Sequence, residues 1–281
     1  MKSSVFVSIV VPTIGRVIEL EEFLISVKEA EYNENIEIII VDQNEKGFLN
    51  SLVEKYTPFI NIKHFVSERK GASLARNIGL QYASYELINF CDDDAVIEKD
   101  FIQKIERNMA DSYDMVSFRV VDIKKEDENC MIPFPSVKKK ICFSNIEKTT
   151  IEISQIWRKK SIRNIAGYDE RLGVGTYFSS DESMDLIIRA LKENYVMWYF
   201  PEIGFRHPNK KSALASRYLK YARGTGALHK KHWSRWSIKK KFIVYMVKNM
   251  VGVVVYNVWN PKKTLKHIYR VFGFFQGFLK F

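Results

Sequence analysis

Short apolar runs alternate with amphipathic stretches through the first hundred residues. Residues 5–11 are mostly apolar and β-branched, and the run ends at Pro12-Thr13. Residues 17–30 then place Val17, Leu20, Phe23, Leu24 and Val27 at helical spacing. A second buried strand is predicted over 36–41, ending at Asp42. A polar turn and a short helix carrying Phe48, Leu49, Leu52 and Val53 follow. Residues 62–66 predict a third strand. Residues 72–83 predict a helix with Leu74, Ile78 and Tyr82 on one side. A fourth strand over 86–91 runs into Asp92-Asp93-Asp94. This strand–helix alternation predicts an α/β fold, a doubly wound, mostly parallel sheet with helices on both faces. Such sheets bind ligands beyond the carboxyl ends of their strands. Three of those ends carry polar punctuation: Pro12-Thr13, Asp42 and the aspartate triplet.

The pattern is less regular over 111–165. Strands are predicted at 115–121 and 151–157, with a mobile insertion or loop over the charged, proline-interrupted stretch 123–148. Ser180 is placed to cap a helix running to about Lys192, with Asp181 and Glu182 in its first turn. A short strand over 196–200 is expected to end at Pro201. From Ser212 the pattern is helical. Residues 242–259 are mostly apolar and approach the roughly 20 residues of a membrane span, but Lys248 and Asn249 interrupt them. Leu265, Ile268, Phe272, Phe275 and Leu279 form one apolar stripe, and Lys263, Lys266 and Arg270 another. That is the pattern of a basic amphipathic helix lying in a membrane interface.

Charge sharpens this division. The 281 residues carry a net charge of +11. Residues 203–281 hold 18 Lys and Arg and no Asp or Glu, whereas residues 1–202 hold 26 basic and 33 acidic side chains, a net of −7. A polyanionic partner is therefore expected for the C-terminal end. Clustered Phe and Val on a regular stripe point to an anionic membrane surface contacted by 238–281, with no nucleic acid as partner. Apolar residues make up 46% of the chain, which excludes a disordered or collagen-like chain. Cys91, Cys130 and Cys142 are too few and too scattered for a disulfide framework, so a reducing compartment is expected. No secretory signal is expected at the start, because the opening run ends at Pro12 without a small-residue cleavage site.

Three adjacent carboxylates at a strand end repel one another unless a cation is present. Asp92 and Asp94 share one face of an extended chain and offer oxygens suited to Mg2+ or Mn2+, whose shells substrate phosphates commonly complete. Four motifs then follow in order: Val7-Ser-Ile-Val-Val-Pro-Thr13, Glu37-Ile-Ile-Ile-Val-Asp42, Gly71-Ala-Ser-Leu-Ala-Arg-Asn-Ile-Gly79 and Asn89-Phe-Cys-Asp-Asp-Asp94. Gly167-Tyr-Asp-Glu170, Leu172-Gly-Val-Gly-Thr176, Asp181-Glu182, Asp185-Leu186, Arg189 and His207-Pro208 continue the series. Over roughly residues 5–210 the chain resembles the family-2 glycosyltransferases of GT-A fold.

The resemblance implies an inverting enzyme that uses a nucleotide-activated sugar, a UDP-sugar favoured, in cell-surface polysaccharide synthesis. Pro12, Thr13, Asp42, Arg76 and Asp92 are the implied nucleotide contacts. Asp92, Asp94 and His207 are the implied ligands of Mn2+ or Mg2+. The family's base usually stands as the Asp of a Glu-Asp pair, and here the text reads Asp181-Glu182-Ser183. Glu182, then Asp181, is the expected base, with Asp185 pairing with Arg189 four residues on. The segment 217–226, rich in Arg, Tyr and Gly, resembles the one preceding the family's membrane-associated helices and implies a lipid-linked saccharide acceptor. The expected organisation is a GT-A domain over 1–210 and a helical, basic, membrane-associating extension over 211–281. The expected location is cytoplasmic, peripheral at the inner face of the cell membrane.

Two other readings compete. A sugar nucleotidyltransferase on a similar scaffold needs a Gly-rich basic loop after the first strand, and only Ile14-Gly15-Arg16 stands there. A non-catalytic binding protein whose basic tail grips membrane or nucleic acid predicts steep salt dependence of binding.

Overall fold

The computed structural model describes residues 4–209, 215–256 and 260–281. The expected domain boundary at 210/211 and the helical start at Ser212 lie outside the described residues, as do positions 257–259 of the apolar run. The described residues pack as two compact units. One takes in those up to 70, 74–167 and 186–209; the other takes in 71–73, 168–185 and those after 214.

In the first unit the strands are β1 (Val7–Thr13), β2 (Ile36–Asp42), β3 (Asn61–Val66), β4 (Leu87–Phe90), β5 (Val96–Ile97), β6 (Met115–Asp122), β7 (Lys125–Asn129), β8 (Lys139–Lys140), β9 (Gln155–Arg158) and β10 (Met197–His207). The sheet runs β3-β2-β1-β4-β9-β6-β10-β5, with β7 on β6 and β8 on β10. Its longer ladders are parallel: β1–β2, β2–β3, β1–β4 and β6–β10. Shorter antiparallel pairings insert β9 between β4 and β6. The helices between strands are α1 (Ile18–Lys28), α2 (Asn50–Tyr56), α3 (Ala72–Tyr82), α4 (Phe101–Asn108), α5 (Ile146–Thr149), α6 (Lys159–Asn164) and α7 (Glu182–Lys192).

β1 and β2 are almost wholly buried, which explains their near-continuous apolar runs. Gly79 of the third motif has a packing reason. A Cβ there would stand 2.2 Å from Val10 Cγ1, so only glycine lets α3 lie this close to β1. Glu37, buried in β2, is held by Lys63 Nζ at 2.7 Å and by the hydroxyls of Ser8 and Ser84. Burial works against its ionisation, but these donors win and hold its pKa below the ordinary carboxylate value.

Four local expectations are corrected. The stretch 123–148 contains β7, β8 and the start of α5, with Phe134 stacked on Tyr199 at 5.6 Å. The strand expected over 151–157 is the shorter β9, preceded by a 3-10 turn over Glu152–Ser154. The strand expected to stop at Pro201 continues to His207. Two register shifts, between Phe200 and Ile203 and between Ile203 and Phe205, absorb the proline's missing N–H. The cap of α7 is Asp181, not Ser180, because the Asp181 carbonyl accepts the first helical bond, from Asp185 N at 2.9 Å.

The second unit is built on α8 (Ala215–Lys231), α9 (Trp236–Tyr256) and α10 (Pro261–Lys280). Glycine is a poor helix former, costing about 1 kcal/mol against alanine. Here it permits backbone contact: a Cβ on Gly226 would meet Phe274 O at 2.1 Å, and one on Gly277 would meet Arg223 O at 1.9 Å. α9 is tied to α10 by the buried Asn249, whose Oδ1 lies 2.9 Å from His267 Nδ1. Asn260 caps α10 through a bond from Lys263 N, with Pro261 opening the helix.

Candidate active site

β4 ends at Phe90, and the aspartate triplet follows after Cys91. Two residues beyond it, β5 pairs antiparallel with β10, Val96 with Arg206 and Ile97 with Phe205. That short pairing, fastened by an Arg206–Glu98 ion pair of 2.6 Å, brings the end of β10 against the triplet. His207 is the residue it delivers. Its Nε2 lies 3.0 Å from Asp94 Oδ1 and 3.8 Å from Asp92 Oδ2. The three ligand atoms all lie within 4.8 Å of one another.

The ring of His207 is fully buried, and its Nδ1 faces the Cys130 thiol at 3.7 Å. Among the described residues Nε2 has no partner in full hydrogen-bond geometry, although Asp94 lies close by. Burial opposes protonation of this imidazole, but contact with Asp94 and Cys130 and the charges of Asp94 and Asp92 push its pKa up to about 9. Two carboxylates and one imidazole suit a divalent ion that prefers oxygen ligands, so the residues fit Mn2+ or Mg2+.

Arg76, buried in α3, reaches Asp92 Oδ1 at 3.2 Å and Glu152 Oε2 at 2.5 Å. Thr13, at the end of β1, donates to Asp93 Oδ2 at 2.8 Å. Pro12 precedes it in the same strand. Asp42 is fully buried at the end of β2. Its Oδ1 accepts from Asn44 N and Nδ2, and its Oδ2 lies 3.1 Å from His64 Nε2. Cys91 carries a thiol pushed well up by burial and then by its three aspartate neighbours, so it stays protonated. Sequence reasoning missed Arg16, Glu152 and Cys130 as neighbours of these groups. Arg16 was legible as the one cation after the first strand, whereas Glu152 and Cys130 carry no local signal.

The base candidates are described within the second unit. Asp181 adopts a left-handed φ of 66°. Its Oδ2 accepts from Ser180 Oγ at 2.5 Å and from Thr225 Oγ1 at 2.9 Å. Glu182 opens α7 and is largely buried, and Gly173 makes room for it. A Cβ on Gly173 would stand 3.0 Å from the Glu182 carboxyl carbon. Asp185 is fully buried and is held by Lys231 Nζ at 2.9 Å and His232 Nε2 at 2.8 Å. Lys231 also binds Asp169 Oδ2 at 2.7 Å, and Arg171 binds the same carboxylate. Burial resists charge on Asp169, but those two cations hold its pKa well below the ordinary range. Arg189 donates to the carbonyls of Ile165 and Gly167.

The fold is of GT-A type. The chain belongs to glycosyl transferase family 2, whose model matches residues 8–164. Over 84 residues it is 34% identical to the putative glycosyltransferase EpsH of Bacillus subtilis, covering 30% of this chain and 24% of that protein. Over 90 residues it is 32% identical to the GalNAc(5)-diNAcBac-PP-undecaprenol beta-1,3-glucosyltransferase of Campylobacter jejuni, covering 31% and 29% respectively. The aligned stretch thus spans less than a third of either relative. Among solved structures, the mannosyltransferase PcManGT from Pyrobaculum calidifontis, in complex with GDP-Man and Mn2+, superimposes with a TM-score of 0.65 at 13% identity. It covers 96% of this chain and 86% of that one. S. aureus TarS 1-349 in complex with UDP-GlcNAc gives 0.62 at 17%, covering 79% and 65%. At these identities the likeness establishes the fold.

Proposed function

We propose that this enzyme is an inverting transferase moving a sugar from a nucleoside-diphosphate donor, a UDP-sugar in the first instance, to a hydroxyl of a lipid-linked saccharide. The observation that carries this reading is the convergence of Asp92, Asp94 and His207 at the carboxyl edge of the sheet. It is supported by the donors in the two structural neighbours and by the undecaprenol-linked saccharide in the Campylobacter relative's name. Asp92, Asp94 and His207 would hold the ion, which when bound would supply a Lewis acid for charge developing on the leaving diphosphate. The imidazole ligand favours Mn2+ over Mg2+.

The chain's own groups do the rest. Thr13 and Pro12 line the nucleotide pocket, and Asp42 accepts a hydrogen bond from the base. Arg76 sets a fixed cation beside Asp92, near the diphosphate. Glu182, ahead of Asp181, takes the proton from the acceptor hydroxyl as that oxygen attacks the anomeric carbon. The bond to the diphosphate breaks on the opposite face and its electron pair leaves with the diphosphate. One displacement therefore inverts the anomeric centre, and a single base suffices. Saturating UDP or GDP with Mn2+ should raise the unfolding midpoint. A ligand at a hundred times its Kd adds about 2.7 kcal/mol, or roughly 5 °C for a chain of this size. No shift with any nucleoside diphosphate, with or without Mn2+, would sink the reading.

The same proposal places the enzyme at the inner face of the cell membrane through residues 238–281. Among the described residues no helix is long and apolar enough to cross a membrane. α9 leaves Ile243, Val244, Val247, Met250, Val251 and Val254 exposed at helical spacing, and α10 leaves Leu265, Ile268, Phe272, Phe275 and Leu279 exposed. Lysines flank both stripes, as an interfacial helix requires. Because α10 packs tightly on α8, deleting it would also damage the fold. Substitution is the cleaner test: V247D/V251D/V254D is expected to cut co-sedimentation with anionic liposomes at least tenfold at an unchanged melting temperature. Undiminished binding would refute interfacial docking by α9.

A further inference from the structure

The middle aspartate of the triplet is not part of the cation cluster. Asp93 turns away from His207 and is fully engaged elsewhere. Its Oδ2 accepts from Thr13 Oγ1, and its Oδ1 lies 2.6 Å from Arg16 Nη1. The same Arg16 nitrogen is 2.8 Å from Asp94 Oδ2, the oxygen that does not face His207. One guanidinium nitrogen therefore serves two carboxylates. The Nε and Nη2 groups of Arg16 have no partner among the described residues, and about a third of the side chain (35%) is exposed.

This tether is built by the backbone as well. Arg16 follows Gly15, whose φ of +69° turns the chain at the end of β1. Gly15 N donates at 2.7 Å to Asn44 Oδ1, and Asn44 in turn holds Asp42. The loop bearing Arg16 is thus fixed to the ends of β1 and β2, beside the triplet that follows β4.

A guanidinium held through one nitrogen, with its Nε–Nη2 edge open, is set to take two phosphate oxygens at once, since its planar fork matches phosphate geometry. We infer that Arg16 is a second anchor for the donor's diphosphate, aimed by Asp93 and Asp94. This rests on the nucleoside-diphosphate reading above. It also explains why three aspartates stand where two suffice for an ion: the middle one holds the arginine.

The test is calorimetric binding of UDP and GDP, each beside its monophosphate, with Mn2+ present, to the full chain and to R16M, R16K and D93N. For R16M, diphosphate affinity is expected to fall at least tenfold, while monophosphate and Mn2+ affinities stay within threefold. R16K, which keeps the charge and loses the fork, should recover only part of the loss. D93N, which keeps the guanidinium and loosens its aim, should fall between R16M and the unmodified chain. Equal losses for diphosphate and monophosphate, or no loss in R16M or R16K at an unchanged melting temperature, would overturn the inference alone. An unmodified chain that binds neither nucleotide pair would overturn the donor reading and the inference together.

Discussion

Replacing Asp94 by alanine is expected to abolish metal-dependent transfer, lowering kcat/KM about a thousandfold, the scale of a several-kcal/mol loss of charge stabilisation. Asp94 is the residue most deeply committed to the proposed ion. Its Oδ1 faces His207, its Oδ2 is fixed by Arg16, and almost none of it is exposed. Such a carboxylate cannot rotate to another task. The change also removes a partner of Arg16 and His207, so melting curves are to be taken beside the rates. Asp94→Asn separates charge from shape: it should lose Mn2+ binding as fully as the alanine variant. The outcome that counts against the metal role is full turnover by either variant, or by the unmodified enzyme in EDTA.

Replacing Glu182 by glutamine is expected to lower kcat by 10²–10⁴, the usual contribution of a general base, with donor and Mn2+ affinities unchanged. The contrast with Asp181 makes this informative. The Asp181 carboxylate already accepts from Ser180 and Thr225, and its backbone starts α7 from a left-handed conformation. Asp181→Asn should therefore weaken the bonds from Ser180 and Thr225, and with them stability, more than turnover. Rate measurements with saturating donor, paired with melting curves, distinguish the two. If D181N loses the rate and E182Q keeps it, the assignment is reversed.

Much of the first unit was legible in the chain because its strands are buried on both faces. β1, β2 and β4 are apolar runs bounded by polar residues, a pattern that local burial alone writes into sequence. The aspartate triplet and His207 were legible as donors of metal-binding type. Their meeting was implied by the family resemblance and by no local pattern, since the pairing that delivers His207 uses a two-residue strand, β5, too short to carry any periodicity. Pro201 concealed the route to His207, because a proline ordinarily ends a ladder and here two register shifts carry the strand past it.

The second unit shows the same division. Its charge and its α10 stripe are properties of composition and spacing. The glycines of α8 and α10 look like weak points in a helix until the partner backbone occupies the space a side chain would fill. By itself the sequence determined the element order, the chemistry available at the strand ends and the basic, apolar character of the tail. Only the tertiary structure decided how the end of β10 reaches Asp92 and Asp94 and that Asp93 holds Arg16. Those outcomes turn on ångström-scale distances between residues far apart in the chain, which no local pattern encodes.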